Sequence, residues 1–587
     1  MSEFAAHVDR FFDELFRIDP LSATAAGRHD HDARWPDVSD AGRAAWLAWL
    51  TRWRATLEAI DPATLTTDDA IDRERLLGRL AAWTFTATEL REERWDPLGW
   101  VYLMGGGLFP LIAREFAPLA ERLASLAGRL EGLPAIVEAA RDQLKGTVGR
   151  PVARLHAAKA AADVDGVAGL VMEGLAIAEA AADSDPAVAA TLPRLRSAAA
   201  AAEASLAAFK AHLVEAVLPA SAGDGRLGPE LFARKLRHVL SGVDPTPEQL
   251  AAEAERSFVA VRGEMIRLAR GAWSTWRPGE DPPADDGAAV RGVLDAVARD
   301  HPPADGMLEE CRVQLRRIEA FCRERGVIGL ADEPLAIDWT PVFLRSFGGA
   351  MLDAPGPFDH GQRTFFFVTP CDPSWPASRT ESYLREQNRR QLAILTIHEA
   401  VPGHYLQAVY GHRTTSLVRA VLGDGVFAEG WAVYATQVMI DHGFGEDDPA
   451  QLLAHWKYFL RCAANAIIDV GIHVRQMTED EAMSLMVEGA FQEEAEARAK
   501  WDRARLTSAQ LSTYFVGSMA FWELERAVRS RRAAEAGAAE PAAAIPPPRV
   551  VGALGETPGF NYRQHLERVI SHGELPLPQL RRVVLGD

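Results

Sequence analysis

The chain has 587 residues, 48% hydrophobic and 25% charged, enough to bury a large core. Its formal net charge of −19 argues against nucleic acid as a partner, because that binding needs basic patches to displace counterions. Four cysteines without a C-x-x-C spacing and no run of 18 uncharged apolar residues exclude a disulfide scaffold and a membrane span. The polar start, Met1 to Arg10, lacks an apolar signal core, so the expected compartment is the cytoplasm. The oligomeric state is not legible.

Most of the chain reads as helix, with Ala, Leu, Arg and Glu dominant and apolar residues recurring at three and four. Residues 110–220 are the most Ala-rich and are expected to form long antiparallel helices. Ser221 to Gly225 reads as a turn, Arg277 to Gly287 as a longer loop, and Ala536 to Pro548 as an exposed linker. One stretch breaks the pattern. Val342-Phe343-Leu344 and Arg363 to Pro370 are β-branched and aromatic, and read as strands of a small sheet. A strand just ahead of the next helix can pair with an extended substrate, with Phe366 as its contact residue, or can be buried structural β.

A helix beginning near Thr380 then carries His398-Glu399, followed by Pro402-Gly403-His404. Two imidazoles and a carboxylate can hold Zn²⁺ and leave room for water, and a Glu beside the first His can take that water's proton. The spacing is unusual. On an unbroken helix, His398 and His404 point about 120° apart and sit about 9 Å apart along the axis. Pro402 forbids a straight helix, since its ring collides with the carbonyl of residue 398, and Gly403 tolerates dihedrals closed to other residues. The break either swings His404 back toward His398 or ends the helix and leaves His404 on the surface.

Glu429, 25 residues after His404, lies in an apolar helix-like segment, Val426 to Tyr434, that forces it inward. A buried carboxylate needs a partner, and a metal supplies one. His412 is the alternative third ligand, in what reads as an exposed turn. Asp469 and His473 stand at i and i+4 on an apolar helix. They form either a satisfied core pair or a catalytic group, with His473 orienting substrate or stabilising an oxyanion.

The motif His398-Glu399-x-x-Pro402-Gly403-His404-x-x-Gln407, followed by Glu429-Gly430-Trp431-Ala432-x-Tyr434, resembles the bacterial family called domain of unknown function 885. The resemblance extends to Asp469 through His473, to Gln510 through Gly517, and to the closing segment Leu566 to Leu577. At the other end it covers Gly27-Arg28-His29-Asp30 with Trp35-Pro36-Asp37. It implies a mostly α fold: a large helical zincin-like bundle with a deep cleft and a small β-sheet next to the active-site helix. It also implies a single domain over 1–587, with lobes of about 1–330 and 331–587. His398, His404 and Glu429 are then the ligands of Zn²⁺, and Glu399 the base. Tyr514 matches the family's late Tyr, suited to a developing oxyanion. Arg503 matches its late Arg, which can bind a peptide carboxylate in a fork. Departures occur at Thr436, where the family has an acid, at Ser508-Ala509 in place of Pro-Gly, and at Asn465 near an expected Arg.

The resulting expectation is a zinc-dependent hydrolase of amide bonds acting on short peptides or peptide-like small molecules. The alternatives are a non-catalytic metal- or peptide-binding descendant and a metal-free helical scaffold.

Overall fold

The protein is described here by a computed structural model covering residues 3–147, 149–539 and 557–586; most of the expected linker, residues 540–548, lies outside them. The chain divides into two compact units. The first comprises Met1–Arg226 with Thr340–Phe347 and Ala354–Thr364, the second Leu227–Trp339, Gly348–Asp353 and Phe365–Asp587. The division falls a hundred residues before the lobe boundary expected from sequence. The cause is the helix Pro247–Trp276, which packs along Pro449–His473 and so belongs with the second unit.

In the first unit the Ala-rich sequence forms three long helices, Leu119–Gln143, Arg154–Ala182 and Pro186–His212. On the middle one Ala157, Ala160, Val164, Val167, Val171 and Ala178 make a buried stripe of small side chains, the spacing that lets one helix face approach its neighbours. Asp185 starts the third by accepting bonds from the amides of Ala187 and Val188, and Pro186 takes the first helical position. The opening motif is structural. His29 bridges Asp32 at 2.7 Å and Asp359 at 3.0 Å while its ring stacks on Phe116. Trp35 donates its indole N–H to the Arg129 carbonyl.

The second unit carries the sheet, in the order β1 (Leu335–Trp339), β3 (Thr364–Val368), β2 (Ala350–Asp353). β2 and β3 are antiparallel, with Ala350 opposite Val368 and Leu352 opposite Phe366. Two sequence expectations are corrected. Val342-Phe343-Leu344 is not a strand but part of a 3₁₀ turn, Val342–Phe347, because the Leu344 amide bonds back to the Pro341 carbonyl. Phe366 is not at an open edge. β3 is the central strand, and the Phe366 side chain is fully buried among Met307, Ile337 and Leu392, which rules it out as a substrate contact. The edge strands are β1 and β2.

The helix expected from Thr380 onward is two helices, Ala377–Glu386 and Arg389–Glu399. Asn388 divides them by turning its side-chain oxygen onto the Gln391 amide, the local competition that makes Asn a helix starter. Leu392 of the second helix packs in the sheet's core, which sets the helix that carries His398 beside the sheet. Farther on, Gly425–Asp441 crosses Ser512–Glu535 where Gly430 meets Gly517; a Cβ on Gly517 would lie 2.6 Å from the Gly430 Cα. No helix among the described residues is long and apolar enough to cross a membrane.

Candidate metal centre

The helix bearing His398 stops at Glu399, and a new one begins at His404. Residues 400–403 turn between them, with the Gly403 amide bonded to the Ile397 carbonyl at 3.0 Å and Val401–Pro402 a cis peptide bond. A Cβ on Gly403 would collide with the His398 carbonyl, so only glycine fits. Trp431 of the second motif donates its indole N–H to the Pro402 carbonyl at 2.8 Å, tying the turn to the helix that carries Glu429. The break therefore both ends the helix and returns His404 to His398. Their rings lie 4.7 Å apart between centroids, and the His404 side chain is only 15% exposed.

Glu429 Oε2 sits 3.5 Å from His398 Nε2 and 3.6 Å from His404 Nε2, and the three donor atoms lie within 4.8 Å of one another. Donors about 2.05 Å from a tetrahedral zinc are separated by about 3.3–3.4 Å, so little movement brings this set onto one ion. The electrostatics fit as well. Glu399 Oε2 and Glu429 Oε2 are buried with no hydrogen-bond partner among the described residues, a costly arrangement unless a cation is shared between them. Burial pushes the Glu399 carboxyl up to about 7. Burial also acts on Glu429, but the two imidazoles win and hold it well below the usual carboxylate range. His412, the alternative ligand, is not part of this cluster.

Support for the donors comes from residues that sequence reasoning missed. The Tyr458 hydroxyl is 2.8 Å from His398 Nδ1. With the Nδ1 proton donated to the phenol oxygen, the Nε2 lone pair is left for the cation. Glu574, in the closing motif, accepts from Gln407 Nε2 at 2.8 Å through one oxygen and from the Asp424 amide at 2.7 Å through the other. It thus fastens the His404 helix to the start of the Glu429 helix. The available signal was charge and hydroxyl within a helix, Pro449–His473, buried on nearly every face: Lys457, Tyr458 and Arg461 there need partners or a task.

Beside the donors lies a cavity of about 60 Å³ lined by His398, Glu399, Tyr458, Arg503 and Tyr514 among others, with Gly349 and Ala350 at the end of β2. The Tyr514 ring faces His398, 6.2 Å between centroids and 16° between planes. Its oxygen accepts from Arg503 Nη2 at 3.1 Å, and Gln510 Nε2 reaches Glu429 Oε1 at 3.3 Å. Asp469 shapes this segment by accepting from the Ala509 and Ser512 amides and the Ser512 hydroxyl. Thr436 is buried and bonds within its own helix to the Val433 carbonyl, away from the cavity lining.

His473 is not at the site, which corrects its candidacy as a catalytic group. Its Nε2 bonds the Ala504 carbonyl at 2.9 Å, its Nδ1 takes the Leu227 amide at 3.2 Å, and its ring stacks on Phe232. A carbonyl can only accept and an amide only donate, so both nitrogens are committed and the ring holds one neutral tautomer. It lines no part of the cavity.

The fold and site thus define a mostly helical protein with a largely buried His-His-Glu cluster next to a small sheet. A family model described as a bacterial protein of unknown function, DUF885, matches residues 20–584. The chain belongs to that family. No curated protein matches. Among solved structures, one described as a candidate lipoprotein of unknown function from Shewanella oneidensis is 29% identical over 100% of both chains, with a TM-score of 0.77. Another candidate lipoprotein, from Colwellia psychrerythraea, is 15% identical over 100% of this chain and 98% of its own, with a TM-score of 0.79; that likeness is one of fold.

Proposed function

We propose that this protein is a zinc-dependent hydrolase of amide bonds acting on short peptides. The observation that carries the reading is the set of three donors within 4.8 Å of one another, two of their separations 3.5 and 3.6 Å, beside Glu399, whose Oε2 is buried and unpartnered among the described residues. Zinc held by His398, His404 and Glu429 supplies a Lewis acid that polarises a carbonyl and acidifies a neighbouring water.

The chain's own groups do the rest. Glu399, adjacent to His398 and lining the same cavity, is placed to take a proton from the attacking water and pass it to the leaving nitrogen. The Tyr514 oxygen accepts from Arg503, which leaves the phenol proton to donate to the carbonyl oxygen as charge develops there. β2, the edge strand that ends at the cavity, offers backbone groups to an extended peptide.

Glu399→Gln tests the assignment. An amide cannot act as a base, so the variant should keep its metal by elemental analysis and lose turnover of a peptide library by about 10²–10⁴-fold. Full activity in the variant overturns the mechanism, and loss of the metal reassigns Glu399 as a ligand. A metal-bearing wild-type protein that cleaves nothing would favour a peptide-binding protein without catalysis.

A further inference from the structure

Part of the cavity wall is far more basic than a metal site requires. Arg461 from the helix Pro449–His473, with Lys500 and Arg503 from the helix Glu494–Thr507, line the same space as His398 and Glu399. On that wall they share one carboxylate, Glu496, whose Oε1 lies 3.4 Å from Arg461 and 3.6 Å from Lys500. Glu386, 4.0 Å from Arg461, is already engaged by Lys457 at 2.7 Å. Among the described residues Arg503 makes no ion pair with a carboxylate. Its Nη2 meets the neutral Gln510 and Tyr514, and its Nε is buried with no hydrogen-bond partner there. Three cations thus line the cavity against two carboxylates, Glu399 and Glu496, and the Arg461 and Lys500 side chains are only 16% and 9% exposed.

Buried cationic charge in excess is costly unless an anion joins it. A cavity of about 60 Å³ exceeds the roughly 10–15 Å³ that one water needs, so it has room for a charged group. The planar oxygens of a carboxylate match a guanidinium fork. We propose that Arg461, Lys500 and Arg503 form a carboxylate-recognition pocket beside the His398–His404–Glu429 cluster. The substrates are then acidic peptides, presenting either a free C-terminal carboxylate or an Asp or Glu side chain next to the bond that is cut. This inference rests on the proposed amide hydrolysis for bringing a peptide to the site.

The test is a binding measurement that needs no turnover. Full-length Glu399→Gln protein, supplied with zinc, is titrated calorimetrically with acetyl-trialanine bearing a free carboxylate, with its C-terminal amide, and with acetyl-alanyl-glutamyl-alanine amide. One of the two acidic peptides should bind about ten- to a hundredfold more tightly than the neutral amide, and which one identifies the source of the carboxylate. The preference should shrink with added salt. Lys500→Met and Arg503→Met, each made in the same background and checked for folding by circular dichroism, should abolish it.

Equal binding of all three peptides, no binding of any at millimolar concentration, or a preference that survives both variants overturns the proposal. Metal content and wild-type turnover are read separately. A protein without metal or hydrolysis thus refutes the amide-hydrolase reading, while acid and amide peptides binding alike refute only this one.

Discussion

Tyr458→Phe tests the metal centre through a residue that touches no substrate in the proposed chemistry. The change removes one oxygen and leaves the ring, so no cavity opens in the buried helix. The lost contact is the 2.8 Å bond to His398 Nδ1. When Nε2 faces a cation, the imidazole proton must sit on Nδ1, and in the variant that N–H points at a phenyl ring with no acceptor. Without metal the ring can take the other tautomer and turn its proton toward Glu429 Oε2, 3.5 Å away. The loss therefore falls mainly on the loaded state. A buried donor left without its acceptor costs about 1–3 kcal/mol, so zinc affinity should drop by about 10–100-fold, the range for outer-shell partners of ligand histidines. Competition with a chromophoric chelator measures it directly, and the metal-free thermal midpoint should stay within a few degrees of wild type. Unchanged affinity would refute the tautomer argument, and with it the assignment of Nε2 as the donor atom.

Three further outcomes follow from the packing. Glu574→Ala removes both acceptors that join the His404 and Glu429 helices and should cost about 3 kcal/mol in urea unfolding; Glu574→Gln should recover only part, because one of the two accepting oxygens becomes an NH₂ that faces a donor. Gly517→Ala drives a methyl into Gly430 and the Val426 carbonyl, and should lower the urea midpoint by the equivalent of about 1–3 kcal/mol; an unchanged midpoint would mean that the helices separate freely. Burial lowers the His29 pKa, but hydrogen bonds to Asp32 and Asp359 outweigh it and raise the pKa to about 9. Its stabilising effect is fully present below about pH 6.5 and is lost as pH rises toward 9, up to about 3 kcal/mol. The difference in urea midpoint between wild type and His29→Gln should shrink across that window, and a constant difference would show His29 to be neutral throughout.

The helical architecture was legible because it rests on local signals: Ala-rich periodicity, and caps such as Asp185 ahead of Pro186. The donors were legible for a chemical reason, since His and Glu inside apolar runs must be paired with something. His473 shows where that logic fails. Its setting on an apolar helix is the same in kind as that of His398, yet its ring nitrogens are spent on the backbone at Leu227 and Ala504, contacts hundreds and tens of residues away that no local pattern reports. Phe366 was misplaced for a related reason: an apolar run identifies a strand but not its rank in the sheet, which depends on β1 and β2, neither of them in a stretch recognised as extended.

By itself the sequence determined that the chain is mostly helical, that the helix could not run straight through Pro402, and which residue types were available to hold a metal. Only the tertiary structure decided that the broken helix returns His404 to His398. That outcome depends on the Trp431 bond to the Pro402 carbonyl and on Glu574 clamping two helix ends. It also gathered Arg461, Lys500 and Arg503 onto one wall. The physical reason is the same throughout: steric exclusion and helix periodicity act between near neighbours, whereas a donor's position and a cation's partner are set by side chains that meet only after the chain has folded.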